Sequence, residues 1–75
     1  MERKWMIEAR ELKGLSKSDL AKQIKVVRSY IHGIENGAKT PSGKVALKLS
    51  RILDVKMERF FEDQLEEELE KELAI

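Results

Sequence analysis

Hydrogen-bond donors that suit an anionic partner are concentrated between residues 28 and 44. Arg28, Ser29 and His32 lie within five residues of one another, and the spacing of four places Arg28 and His32 on one face of a helix. An arginine guanidinium donates two parallel hydrogen bonds to a guanine edge or to a phosphate. Lys39 and Lys44 follow in the same stretch. This pattern indicates recognition of a polyanion.

The residue types that catalysis and metal binding need are nearly absent. The chain has one histidine, His32, and no cysteine. Disulfides and thiolate metal sites are therefore excluded, and a single histidine does not make a metal site. No glycine-rich loop of the phosphate-cradling kind is present. We therefore expect no enzymatic activity, no metal, no cofactor and no small-molecule ligand.

Charge is distributed unevenly along the 75 residues. Residues 1–59 carry fourteen Lys and Arg against seven Asp and Glu, a net charge of +7, whereas residues 60–75 carry one against seven, a net charge of −6. A basic body suits nucleic acid, although an ordinary lysine-rich surface fits the charge alone equally well. No apolar run reaches the roughly 20 residues of a membrane span, and residues 1–5 lack the apolar segment of a signal peptide. We expect a cytoplasmic protein with no membrane partner.

Apolar residues recur at helical spacing, and strand signals are almost absent. Gly14 is placed to end a first helix. Ser16 and Asp19 form a capping-box pair that begins a second helix. Three more helices are predicted, one over residues 27–36, one capped by Ser42 and one starting near Met57. The expected fold class is all-α, a compact bundle of about five helices whose last helix is extended at its C-terminus.

The second and third helices are joined by only about three residues, Lys25 to Val27. Two helices on so short a turn, each with one apolar face, form a helix-turn-helix. The turn holds the helices at a steep angle, so the later helix presents a polar face that fits the DNA major groove, which is about 12 Å wide.

The residues around this turn resemble the phage repressor/Cro family, also called the xenobiotic-response-element type. The resemblance covers roughly residues 5–62. It is carried by Leu15–Ala21, Ile24, Val26, Ile31, Ile34–Gly37, Pro41–Ser42, Leu53, Val55 and Phe60–Phe61. Members of that family fold as about five helices, bind operator DNA, usually as dimers, and regulate transcription. The resemblance implies a DNA-binding domain over residues 1–62. Residues 63–75, beyond it, are predicted from their own sequence to form an acidic helical extension and a candidate dimerisation element.

The resemblance also implies roles for single residues. Base contacts fall on the third helix, phosphate contacts on the second helix and around the loop after the third, and an ion pair between Arg10 and Glu35 orients the third helix. The base-contact set is Arg28, Ser29, His32 and Gly33. The phosphate-contact set is Lys17, Tyr30, Asn36, Lys39, Thr40 and Lys44.

Four of these residues keep a second interpretation. Ser29 suits a phosphate as well as a base, and His32 suits a base, a phosphate or plain exposure to solvent. Gly33 either permits close approach to the groove or has no role in binding. Tyr30 either donates its hydroxyl to a phosphate or packs over the first helix.

The turn departs from the family pattern at two positions. Lys25 stands where a glycine is usual, and a left-handed lysine costs roughly 1 kcal/mol. Val27 stands where a serine or threonine normally caps the third helix, and the loss of that cap costs roughly 1 kcal/mol. The sequence therefore predicts either a strained turn or a reshaped one at the start of the third helix.

A narrow apolar stripe runs along the acidic extension. Phe61, Leu65, Leu69 and Leu73 are spaced four residues apart, which aligns them on one side of a helix. We interpret the stripe as a candidate dimer interface, with folding back onto the domain as the alternative. Mimicry of DNA by the acidic residues is a third interpretation.

The function predicted from these features is a sequence-specific DNA-binding transcriptional regulator, similar to a repressor. It is expected to bind double-stranded DNA at an inverted repeat as a homodimer. The alternative is an antitoxin or adaptor, a protein-interaction module that keeps the helix-turn-helix fold.

Overall fold

The computed structural model describes residues 2–73, apart from the side chains of residues 63 and 64. Every regular element in this part of the chain is a helix, as predicted. The helices are α1 (Lys4–Leu12), α2 (Lys17–Ile24), α3 (Arg28–Glu35), α4 (Gly43–Leu53) and α5 (Arg59–Leu73).

The predicted helix caps are present in the structure. The Ser16 hydroxyl accepts a hydrogen bond from the Asp19 backbone N–H, and the Asp19 carboxylate accepts one from the Ser16 N–H, both at 3.0 Å. Ser42 caps α4 by accepting from the Val45 N–H. Gly14 adopts a left-handed conformation with φ of 67° just after α1, where only glycine is free of steric cost. These local signals fix where α2 and α4 begin.

The start of the last helix differs from its prediction. The sequence predicts a fifth helix from about Met57, but Met57 and Glu58 form a turn and α5 begins at Arg59. The chain leaves α4 through Asp54, which is left-handed with φ of 56°. The turn brings Phe60 into the core, where it is completely buried, so burial of this ring decides the entry of α5.

The core lies between the first four helices and the first turn of α5. Leu20 and Ile24 of α2 and Ile31 and Ile34 of α3 contribute its centre, and burial of each such side chain stabilises the fold by roughly 1.5–3 kcal/mol. Phe60 completes the core at the start of α5. Its ring packs edge-to-face against Trp5, with 4.9 Å between the ring centroids. The other buried apolar residues are Met6, Ala21, Ala46, Leu49 and Leu53.

Beyond Phe61, α5 leaves the body of the molecule. The described chain measures 42 × 21 × 21 Å, an elongation that follows from this helix. Phe61 packs against the core, whereas Leu65, Leu69 and Leu73 are 47–84% exposed. In the structure these three leucines therefore do not fold back onto the domain, which was the alternative interpretation of the stripe.

Candidate nucleic-acid interface

The turn between α2 and α3 keeps its tight geometry despite the missing glycine. Lys25 adopts the left-handed conformation with φ of 61° and ψ of 49°. Its N–H and that of Val26 donate to carbonyls of α2 at Lys22 and Ala21. Of the two predicted outcomes, the chain takes the strained turn, at a cost of about 1 kcal/mol.

The N-terminal end of α3 has no side-chain cap. Val27 occupies the N-cap position in extended conformation; its carbonyl accepts from the Tyr30 N–H at 3.0 Å, but its side chain has no oxygen that could cap the helix. Arg28 and Ser29 are the first residues of α3, and both side chains are exposed. The structure therefore presents them at the open, positively polarised end of the helix.

His32 connects α3 to the start of α2. The Lys17 ammonium donates to its Nδ1 across 2.9 Å. A lysine ammonium can only donate, so Nδ1 is the accepting atom in this hydrogen bond. This bond brings Lys17, a predicted phosphate contact, against His32, a predicted base contact. Arg28 and Ser29 lie one turn before His32 on the same helix.

Gly33, predicted as a base contact, lies on α3 beneath the side chain of Lys39, and its contact with a base stays a prediction. It is buried under the side chain of Lys39, so that a Cβ at this position would lie 3.2 Å from Lys39 Cδ. Lys39 continues over Tyr30, with its ammonium 5.8 Å from the ring centroid, and Tyr30 packs against the core. The glycine provides space for Lys39.

The other predicted phosphate contacts lie in the loop after α3 and at the start of α4. Asn36 is exposed, but its side-chain oxygen accepts from the Ala38 N–H at 2.9 Å, which leaves its amide as the group available to a ligand. Thr40 and Lys44 are exposed. This loop and α3 form adjacent parts of one surface, because the Lys39 N–H donates to the Gly33 carbonyl at 3.0 Å.

Arg10 and Glu35 form the ion pair that the family resemblance implied. The guanidinium donates from Nε to Glu35 Oε2 at 2.7 Å and from Nη2 to Oε1 at 3.2 Å. The hydrogen bond to Glu35 raises the pKa of Arg10 above its usual value. Arg10 also donates to the Leu15 carbonyl, so one side chain ties α1 to α3 and to the chain segment that precedes α2.

The family of the chain follows from its sequence match over this region. The sequence pattern of the helix-turn-helix family matches residues 6–60, which include α2, the turn and α3. The chain belongs to the helix-turn-helix family. This is a family of DNA-binding regulators of transcription, in agreement with the resemblance drawn from the residues.

Two relatives of this helix-turn-helix protein are named as regulators. It is 38% identical over 63 residues to YqaF of Bacillus subtilis, an uncharacterized HTH-type transcriptional regulator, across 84% of the chain and 83% of the relative. It is 42% identical over 52 residues to MJ0272 of Methanocaldococcus jannaschii, which carries the same description, across 69% of the chain and 79% of the relative. No solved structure matches the chain.

The described residues of the helix-turn-helix protein also bear on membrane crossing and on metal binding. Within residues 2–73, no helix is long and apolar enough to cross a membrane. The described side chains contain no group of three or more His, Cys, Asp or Glu residues arranged to hold a metal ion.

Sequence reasoning missed one residue beside the interface, Arg3. Its side chain is 4% exposed and donates to backbone carbonyls of Ile34, Lys39 and Phe60. An arginine next to the first residues of a chain is ordinarily solvated, and its partners lie 31 to 57 residues away. No local spacing indicates contacts at such separations.

Proposed function

We propose that this helix-turn-helix protein is a sequence-specific transcriptional regulator, which places α3 in the DNA major groove. The observation that carries the proposal is the single surface formed by the open end of α3, Lys17 and the Lys39 loop. Its donors are positively charged or polar, and the helices behind it are held by buried contacts. A rigid, positively charged helix face is what base recognition needs.

The residues of this surface divide into two groups by position. Arg28, Ser29 and His32 lie on the exposed side of α3, and we assign them to base edges, with Arg28 donating to guanine. Contacts to the phosphates on either side fix the protein on the duplex. We assign these contacts to Lys17, Tyr30, Asn36, Lys39, Thr40 and Lys44.

A homodimer joined through α5 completes the proposal. Residues 1–62 are the DNA-binding domain and residues 63–75 the extension that dimerises. Leu65, Leu69 and Leu73 form an exposed apolar stripe that continues from Phe61, and a second copy offers an identical stripe. A two-fold dimer separates its recognition helices by about 34 Å, which matches an inverted repeat.

A selection experiment tests the proposed function. The full chain is incubated with duplexes of random sequence, and the bound fraction is amplified and sequenced. We expect enrichment of an inverted repeat, with an affinity that falls steeply with salt, by about 0.9 logarithmic units per phosphate contact for each tenfold rise in salt. Retention that does not depend on salt or sequence would contradict the proposal.

The exposed leucine stripe also favours a second candidate, an antitoxin or adaptor that binds another protein. This candidate requires no DNA. If the chain shows no salt-dependent retention on DNA or heparin but forms a stoichiometric complex with a protein through α5, the second candidate replaces the first. A cytoplasmic location is part of both proposals.

A further inference from the structure

We propose that Arg3 is a positioning residue for DNA binding, which holds the loop carrying Lys39 and Thr40 against α3 and α5. This inference rests on the proposed function, because it assigns the loop to the DNA-facing surface. Arg3 itself is buried and makes no contact with DNA in this proposal. Its effect passes through Lys39.

Arg3 joins three separate parts of the chain. Its Nη1 donates to the Ile34 carbonyl at 2.6 Å, in the last turn of α3, and to the Lys39 carbonyl at 3.0 Å, in the loop. Its Nη2 donates to the Phe60 carbonyl at 3.3 Å, in the first turn of α5. The Arg3 backbone N–H donates to the Glu35 carbonyl at 2.7 Å. These bonds fix the end of α3, the loop and α5 relative to one another.

A buried arginine is a costly choice at a position that only needs to be filled. The guanidinium is buried among backbone carbonyls, and its Nε has no hydrogen-bond partner. Burial of a charge is costly unless it is well compensated, and well-packed apolar side chains often replace buried ionic groups without loss of stability. What the guanidinium adds over an apolar side chain is a planar fork of donors that reaches carbonyls in several directions at once.

The loop residue that gains most from Arg3 is Lys39. Its carbonyl is held by Arg3, and its N–H donates to the Gly33 carbonyl at 3.0 Å, so the peptide groups on both sides of Lys39 are fixed. The side chain then runs over Gly33 and brings its ammonium 5.8 Å from the Tyr30 ring centroid. Loss of the bond to Arg3 frees the C-terminal side of Lys39, and with it Thr40.

A double-mutant cycle distinguishes this positioning role from general stabilisation. Duplex affinity and its salt dependence are measured on the full chain with Arg3→Met, Lys39→Ala and the double substitution, using the inverted repeat obtained by selection. We expect both single variants to lower the salt slope by about one phosphate contact per subunit. When Arg3→Met is already present, we expect Lys39→Ala to reduce affinity by no more than about a further twofold. If the two residues acted independently, their free-energy losses would add and Lys39→Ala would cost as much as it does in the wild-type protein.

Lys4→Met is the matched control for charge. Lys4 is the exposed neighbour of Arg3 at the start of α1, so this variant removes one positive charge and leaves the carbonyl contacts intact. We expect its affinity to stay within about twofold of wild type, because Lys4 is not among the residues assigned to DNA and an exposed charge is screened over about 8 Å. A loss as large as that of Arg3→Met would overturn the proposal, since charge alone would then explain the effect.

Backbone amide exchange gives a readout that lost stability alone would not produce. We expect Arg3→Met to speed exchange at residues 38–40 more than at the core amides of α2 and α3, because only the loop loses an anchor. If Arg3→Met does not fold, Arg3→Lys keeps the charge without the fork of donors, and the same selective loosening and slope change are expected. Uniform acceleration across the core, or wild-type affinity and slope in either folded variant, would overturn the proposal. Failure of the wild-type protein to bind any duplex in a salt-dependent way would instead overturn the proposed function.

Discussion

At the residue scale, Gly33 and Lys39 give a test in which stability and binding move in opposite directions. Alanine is favoured over glycine by about 1 kcal/mol inside a helix. The added Cβ would lie 3.2 Å from Lys39 Cδ, and the exposed lysine can shift to relieve this contact. We therefore predict that Gly33→Ala raises the free energy of unfolding by less than about 1 kcal/mol and weakens DNA binding, because the ammonium leaves its place over Tyr30.

Thermal denaturation and a DNA titration check this prediction. The matched background is Lys39→Ala, in which Gly33→Ala should still stabilise but should no longer affect DNA affinity. Unchanged affinity of Gly33→Ala in the wild-type background would show that Gly33 does not position Lys39.

Lys25 offers a second residue-scale test, because it holds a left-handed conformation that glycine adopts without steric cost. We predict that Lys25→Gly raises the free energy of unfolding by about 1 kcal/mol. Asp54 is also left-handed, but aspartate tolerates that region better than lysine does, so Asp54→Gly should stabilise less. Chemical denaturation of the three proteins measures the difference. An equal or larger gain at Asp54 would mean that strain at Lys25 is relieved by contacts.

The capping box of Ser16 and Asp19 predicts how the stability of the protein changes at acidic pH. Hydrogen bonds from the Ser16 backbone and side chain lower the pKa of Asp19. Because the pKa of Asp19 is lower in the folded than in the unfolded protein, the ionised carboxylate stabilises the fold at any pH above the ordinary aspartate pKa of about 3.9. This stabilisation is lost as the pH falls through the pKa of the folded state. Asp19→Asn should therefore destabilise at pH 7 and make little difference at the lowest pH at which the protein stays folded. A constant difference between the two proteins from pH 7 into the acid range would contradict this.

At the element scale, local signals predicted α1 to α4 well because their ends are set by neighbouring residues. Ser16, Asp19 and Ser42 act within four residues of their partners, so sequence spacing reveals them. The fifth helix begins at Arg59, two residues after Met57, near which the sequence predicts its start. Burial of Phe60, a long-range effect, fixes this end of the helix. The role of Arg3 was missed for the same reason, since its carbonyl partners lie 31 to 57 residues along the chain. The contact of Gly33 with Lys39 spans only six residues but depends on the path of the loop after α3, which no spacing rule predicts.

The interface of the proposed dimer lies on α5. Three leucines buried at roughly 1.5–3 kcal/mol each outweigh the repulsion between acidic surface residues, which solvent and salt screen over about 8 Å. We predict that truncation after Asp63 shifts the protein toward monomer and weakens operator binding, because a dimer joins two half-sites at high effective concentration. Sedimentation with a parallel DNA titration measures both effects.

A point variant separates the stripe from the acidic charge of the extension. Leu69→Glu should dissociate the dimer as truncation does, whereas Leu12→Glu, at an exposed leucine of α1, should not. If the truncated protein remains a dimer and binds DNA more tightly, the extension acts as an electrostatic brake and the stripe is not the interface.

At the scale of the whole molecule, charge is separated between a basic body and an acidic helix. Residues 1–59 carry a net charge of +7 and residues 60–75 a net charge of −6, and α5 projects from the body along the 42 Å length of the described chain. The basic and acidic parts of the chain could be predicted from composition alone. The direction of α5 could not, because it depends on how the first turn of this helix packs against the core.

Base discrimination by Arg28 tests the central claim most directly. Affinities of the wild-type protein, Arg28→Ala and Lys39→Ala are measured for the selected inverted repeat and for every single-base substitution in one half-site, at two salt concentrations. Arg28→Ala should lose roughly 1–3 kcal/mol of discrimination at one position per half-site, whereas Lys39→Ala should weaken all duplexes equally and lower the salt slope by about one contact per subunit. If Arg28→Ala weakens every duplex equally and keeps the wild-type order of preference, the exposed face of α3 does not read bases through Arg28, and the account is contradicted.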